Sequence, residues 1–174
     1  MLPELAQAKV FSKVDVKAGS WHCILDEESS LLTTFSTPFG RYQWLRLAFG
    51  LSVSSEIFPK RVNQAFEGLK GILDTTDDIL VYGVGKELDE ASEDHGRNLK
   101  ALLQRCRERG IALNKDKLKL RRQEVAFVGH LFTTNGLKID PDKARAIQEM
   151  TPLTGTEEVQ RLNGLVNYPS KFLP

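Results

Sequence analysis

Cysteine is scarce in this chain: two in 174 residues, Cys23 and Cys106, far apart and in no CxxC pair. Histidine is nearly as scarce, with His22, His95 and His130 scattered along the sequence. Such spacing excludes a structural zinc site and a disulfide framework, leaving room for at most one disulfide in a reduced, intracellular protein. An excess of charge is missing too. The 24 Lys+Arg stand against 23 Asp+Glu, a formal net charge of +1, so any nucleic-acid binding must come from a local patch. There is no apolar run long enough to span a bilayer, and no basic start followed by an apolar stretch as in a signal peptide. A soluble chain with no visible address and no membrane partner is therefore expected. Internal repeats and low-complexity tracts are absent as well.

What is present suits a packed core. Hydrophobic residues make up 41% and charged residues 27%, over a length of one domain or one and a half. VFSKVDV (10–16) alternates apolar and polar residues, which predicts a half-buried strand ending near Asp15. WHCIL and LLTTFSTPFGRYQWLRLAFG read as further strands, separated by an acidic turn at DEESS and by Pro38-Phe39-Gly40. The period then changes. Ile57, Phe58, Val62, Ala65, Phe66 and Leu69 follow helical spacing, with Ser54 or Ser55 as the N-cap and Pro59 fitting only near the first turn. GILD and ILVYG flank an acidic turn as a hairpin. A helix to Arg109 follows, with Leu99, Leu102, Leu103 and Cys106 on one face and Gly110 as its stop. VAFVGHLF, TTNG and LKI predict a second hairpin turning at Asn135-Gly136. Beyond Asp140-Pro141, a short helix with Ala144, Ile147 and Met150 leads through Pro152 to Thr156 into a last helix near Glu157 to Val166. This order implies an α+β layer domain with a small helical appendage.

The stretch DTTDDILVYG places two adjacent carboxylates, Asp77 and Asp78, at the tip of the first hairpin. Alone they read as a solvated turn, because aspartate is a turn former. A third acid, Asp15, ends a separate strand that sheet pairing could bring alongside. Three oxygen ligands from neighbouring strands suit Mg²⁺, and a pair of such ions can activate a hydroxyl and stabilise a leaving phosphate. A calcium or zinc module lacks the required loop or ligand spacing.

FSKVDVKAG, TTFSTPFGRYQWLRLAFGLS, DDILVYG, LNKDKLKL, FVGHLFTTNGLKIDPDKARAI and LNGLVNYPSKFLP follow one another in a recognisable order. The chain resembles, over nearly its whole length, the reverse transcriptase of gypsy-class long-terminal-repeat retrotransposons. The resemblance implies a polymerase palm, an antiparallel sheet packed on helices, with inner fingers over residues 1–140 and the start of a helical thumb over 141–174. It implies RNA-directed DNA synthesis with Mg²⁺ (or Mn²⁺), an RNA/DNA template-primer and dNTPs as partners, and Asp15, Asp77 and Asp78 as metal-binding acids. Lys117 would protonate the departing pyrophosphate. Phe49 and Gly50 would lie under template and incoming nucleotide, and Val128, Gly129 and His130 would grip the primer end. A thumb helix with Glu157, Gln160 and Arg161 would follow the minor groove. Arg41, Lys60, Arg61 and Lys70 read equally well as phosphate contacts or solvated charges. Trp21 and Trp44 are expected in the core or the sheet rather than as stacking platforms.

Departures from the family pattern are few but pointed. Ser20 stands where an aromatic ring blocks a ribonucleotide's 2′-hydroxyl, which implies poor sugar discrimination. Thr75 and Thr76 replace the residues usual before the paired acids. Ala48, Ser55 and Pro59 alter the template-side helix, and Asn163 and Pro169 the thumb. The outer fingers would precede Met1 and an RNase H domain would follow Pro174, so this chain alone is expected to polymerise little or not at all. Its rival reading is a co-opted, non-catalytic domain that binds nucleic acid or protein. In either case self-association, or a partner covering the face left by the fingers, is expected.

Overall fold

In chain order the elements are α1 (Leu2–Leu5), β1 (Ala8–Asp15), a 3-10 turn (Gly19–His22), α2 (Glu27–Leu32), β2 (Phe35–Thr37), β3 (Gly40–Tyr42) and α3 (Ser54–Phe66). Then come β4 (Ile72–Asp74), β5 (Asp78–Val84), α4 (Leu88–Arg109), β6 (Lys119–Arg122), β7 (Glu124–Phe127), β8 (His130–Thr133) and β9 (Gly136–Ile139). The computed structural model describes residues 2–5, 7–75 and 78–139, together with Arg145, Gly155, Val159 and Gln160. The expected thumb helices therefore lie almost wholly outside the described residues. Helices and antiparallel hairpins combine as the α+β class requires. One sheet runs in the order β4-β5-β1-β6. The chain divides into two compact units, the first of Lys13–Val81 and Gly96–Lys119, the second of Met1–Ser12, Tyr82–His95 and Leu120–Pro174.

The first unit has its core where the predicted apolar faces converge. Val14 and Val16, Ile79 and Val81 of β5, Phe58, Val62 and Phe66 of α3, and Leu102 and Cys106 of α4 form one buried cluster. Each large side chain buried there contributes roughly 1.5–3 kcal/mol. β4 and β5 pair antiparallel with Asp74 opposite Ile79, so the predicted acidic hairpin is present. Helix α4 ends as its sequence demands. The Ile111 amide donates to Cys106 O at 2.8 Å and the Gly110 amide to Arg107 O at 3.3 Å, with Gly110 at φ 65°, a C-terminal closure that favours glycine. Leu103 departs from the expected buried face and is exposed.

Four expectations for this unit are corrected. WHCIL does not form a strand: Gly19–His22 turns as a 3-10 helix, and only Ile24 makes an isolated bridge, to Arg46. Glycine is required at position 19 of this turn, since a Cβ there would overlap the Phe58 ring. DEESS is no mere turn but opens α2, because the Asp26 carboxylate accepts from the Ser29 amide at 2.7 Å and caps the helix. Neither Ser54 nor Ser55 is the N-cap of α3. Val53 occupies that place without a side-chain cap, while Ser54 donates to Ala48 O at 2.7 Å and Ser55 to Ser52 O at 2.9 Å. Pro59 sits inside α3, past the position the sequence favours.

In the second unit, β1 is not half-buried as its alternation suggested. Ala8 and Phe11 are fully buried, and so is the polar Ser12 between them and the charged end. Ser12 Oγ accepts from the Arg121 amide at 2.9 Å and meets His95 Nε2 at 2.9 Å, so its polarity is answered inside the unit. Gly83 lets α4 approach β5, because a Cβ there would overlap the Ala91 carbonyl and come within 2.5 Å of His95 Cβ. The expected hairpin at Asn135-Gly136 is a three-stranded meander, β7-β8-β9. VAFVGHLF is itself a hairpin, with Phe127 opposite His130 around Val128-Gly129. The next turn is Thr134-Asn135, since Gly136 already pairs with Thr133.

Candidate functional site

Sheet order makes β1 and β5 neighbours, and the acids sit at their charged ends: Asp15 closes β1 and Asp78 opens β5. Lys13 Nζ lies 2.6 Å from Asp78 Oδ2. Because side chains two apart on a strand share a face, Asp15 projects from the side of β1 that Asp78 reaches. Lys117 Nζ lies 3.1 Å from Asp15 Oδ2, and Asn114 donates its amide to Asp15 O at 2.8 Å, which ties the Lys115–Leu118 turn to the strand end. The Asp78 end is pinned by Thr75, whose amide donates to Asp78 O at 2.9 Å. Asp77, the third predicted acid, lies outside the described residues, as does Thr76.

Each described carboxylate thus faces an ammonium group. Carboxylate oxygens are the donor type that a hard divalent cation takes, but here the two lysines already occupy them. Among the described residues no group of three His, Cys, Asp or Glu side chains lies close enough to hold one.

Ser20 is buried at 4% exposure, and its hydroxyl has no hydrogen-bond partner among the described residues. Phe49 is 67% exposed, with its ring centroid 6.5 Å from Trp21, and Gly50 follows at φ 87° with open space around it. Trp21 and Trp44 are neither core nor sheet residues. At 48% and 41% exposure they join an open run of rings, Trp21–Trp44 at 6.3 Å, Phe35–Trp44 at 6.0 Å and Phe35–Tyr42 at 6.1 Å. Exposed Ile24, Leu32, Phe39 and Leu45 extend the apolar character of this region. Sequence patterning cannot reveal such exposure, since it shows which residues are apolar but not which are covered.

Of the second unit's predicted residues, Val128 takes φ 49° and Gly129 φ 73° in the β7–β8 turn, and His130 is buried. A β-branched residue at positive φ is strained by roughly 1–2 kcal/mol. Both cysteines are free thiols. Burial pushes the Cys106 thiol up to about 11, and it also raises Cys23, although nearby Arg61 opposes that shift. His22 Nε2 accepts from the Ala112 amide at 2.9 Å, so Nδ1 carries the proton donated to Gly19 O at 3.0 Å. A cavity of about 560 Å³ lined by His22, Cys23, Phe58, Arg61 and Arg109 includes neither acid. Among the described residues no helix is long and apolar enough to cross a membrane.

Residues 1–132 match the family model described as reverse transcriptase (RNA-dependent DNA polymerase). The chain is 32% identical over 174 residues to the retrovirus-related Pol polyprotein from transposon opus of Drosophila melanogaster, covering 99% of this chain and 17% of that protein. It is also 32% identical over 168 residues to the enzymatic polyprotein of cauliflower mosaic virus (strain D/H), covering 95% of this chain and 24% of the other. The chain thus spans about a fifth of the length of these relatives. A foamy viral protease-reverse transcriptase solved in complex with double-stranded DNA superposes with a TM-score of 0.81 at 26% identity, over 97% of this chain and 29% of that one. The same kind of protein bound to an RNA/DNA hybrid gives 0.75 at 26% identity, over 97% of this chain and 22% of the other.

Proposed function

Because the chain belongs to the reverse transcriptase (RNA-dependent DNA polymerase) family, we propose that it is the catalytic palm of a gypsy-class retrotransposon polymerase. Residues 1–140 are the palm with inner fingers and residues 141–174 the start of the thumb. The observation that carries this reading is the Lys13–Asp78 ion pair, which brings the acid opening β5 to the face of β1 that carries Asp15.

Mg²⁺ or Mn²⁺ held by Asp15, Asp77 and Asp78 would supply the charge neutralisation and hydroxyl activation that phosphoryl transfer needs. The chain's own residues do the rest. Asp15 and Asp78 have their backbone held by hydrogen bonds at two strand ends, which sets the positions from which the carboxylates reach a cation. Lys117, on a long and mostly exposed stem beside Asp15, is within reach of a departing pyrophosphate and can give it a proton. Phe49 offers an exposed ring to a base and Gly50 an unobstructed backbone to a sugar-phosphate. Ser20 leaves no ring to exclude a 2′-hydroxyl, so dNTPs and rNTPs are both accepted. The strained Val128-Gly129 turn with His130 holds the primer terminus.

A second reading is favoured by the exposed rings and aliphatic side chains of the first unit: a non-catalytic domain whose apolar face takes a protein partner or a second copy. Primer extension on an RNA template with Mn²⁺, using the chain and its Asp15→Asn and Asp78→Asn variants, separates the two. The polymerase reading predicts slow extension with either nucleotide type. Each variant should lose at least about 10³-fold, the scale on which charge partners act in phosphoryl transfer. A folded wild-type chain that neither extends a primer nor binds Mn²⁺ favours the non-catalytic reading.

A further inference from the structure

Resting on the metal-site reading above, we infer that Lys13 and Lys117 are internal counter-ions of the acids, displaced when a divalent cation enters. A site built from clustered carboxylates must fold before any metal reaches it, and unpaired like charges on adjacent strands repel. Here each described carboxylate is matched by one lysine. Lys13 Nζ meets Asp78 Oδ2 at 2.6 Å and Lys117 Nζ meets Asp15 Oδ2 at 3.1 Å. Both anions are thereby neutralised without a metal.

The two lysines are not equivalent. The Lys117 side chain is 65% exposed and hangs from a turn, so it can swing into water at little cost. Lys13 is 24% exposed and is rooted in β1 two residues before Asp15, on the same face. Its ammonium has less open solvent to move into than that of Lys117. Lys13 is therefore the stronger competitor of the cation and Lys117 the weaker one. Lys13 acts as a positioning residue: it holds the Asp78 carboxylate toward β1, in the place where it later serves as a ligand. Its presence has two opposite consequences, a firmer metal-free fold and a weaker metal affinity. A lysine with a purely structural role would produce only the first.

The test is Mn²⁺ titration by calorimetry on the full chain, with thermal melting in EDTA and in saturating Mn²⁺. The proteins are the wild type, Lys13→Met, Lys13→Arg, Lys117→Met and Asp78→Asn. Lys13→Met should bind Mn²⁺ about 5-fold more tightly, the upper end for a partly exposed ion pair. It should melt about 2–4 °C lower in EDTA, with the deficit removed by Mn²⁺. Lys13→Arg keeps the charge and should behave as wild type. Lys117→Met carries little folding risk and should tighten binding about 2-fold. Unchanged or weaker affinity in both methionine variants, or a melting deficit that persists in Mn²⁺, overturns the counter-ion role. Asp78→Asn separates the two layers: if it binds Mn²⁺ as well as wild type does, the metal-site reading fails, and the counter-ion role with it.

Discussion

The two halves of strand β1 handle polar groups in opposite ways. From Ala8 to Ser12 the strand is buried except at Lys9, whose ammonium donates to the Lys86 carbonyl, and its one buried polar side chain, Ser12, is answered by neutral partners, His95 and the Arg121 amide. From Lys13 to Asp15 the strand is charged, and its groups are answered by opposite charges, Asp78 and Lys117. A neutral contact inside the protein adds order without calling for a counter-charge, although His95 Nδ1 is buried with no hydrogen-bond partner among the described residues. Ion pairs at a strand end stay within reach of solvent and can be exchanged for another cation. The first half of the strand is thus scaffold and the second half chemistry. One run of eight residues shows both.

The contrast can be broken most severely from the scaffold side. Gly83→Ala would drive a methyl group into the Ala91 carbonyl and against His95. Overpacking against backbone should cost about 3 kcal/mol or more and a corresponding fall in denaturation midpoint, with any surviving fold still carrying the two ion pairs.

Next in size is a pH effect. Burial lowers the His95 pKa from 6.5, with Arg121 adding to the shift and Asp94 opposing it. The unfolded chain therefore binds the proton more readily than the folded one. Stability should be level above about pH 6.5 and fall below it by about 1.4 kcal/mol per unit until the depressed folded value is reached. Urea unfolding between pH 7.5 and 5 measures this slope, and His95→Gln should reduce it.

The smallest effect concerns the β7–β8 turn. Val128→Gly relieves positive-φ strain but loosens the unfolded chain, for a net gain of about 0–1 kcal/mol. If the turn holds a primer end, the same variant should dissociate faster from a primer-template, which filter binding can follow.

Much of this was readable in advance, and for physical reasons. VFSKVDV located β1 and its terminal acid because alternation survives in any strand with charged ends. Gly110 marked the end of α4 because only a left-handed residue closes a helix in that way. The misses are equally specific. DEESS concealed a helix because the Asp26 cap makes its own start signal from residues that also favour turns. Patterning alone reads through the β7–β8 turn, because valine is a poor choice for positive φ and no pattern rule anticipates strain; only the family resemblance points to a hairpin at Val128, Gly129 and His130. The KLRR strand β6 carries no apolar alternation, being exposed throughout. Of the candidate site, Asp15, Asp78 and Lys117 were legible from motif order. Lys13 was overlooked, although its place two residues before Asp15 already set it on the same face. Trp21 and Trp44 are exposed rather than in the core or the sheet as expected, since composition cannot say what covers a ring.

The most direct test of the division within β1 is Mn²⁺ calorimetry on Asp15→Asn beside His95→Gln. The account predicts that Asp15→Asn loses Mn²⁺ binding while keeping its metal-free melting temperature within a few degrees. His95→Gln should melt lower yet bind Mn²⁺ as wild type does. Undiminished binding by Asp15→Asn, or loss of binding in a folded His95→Gln, would contradict it.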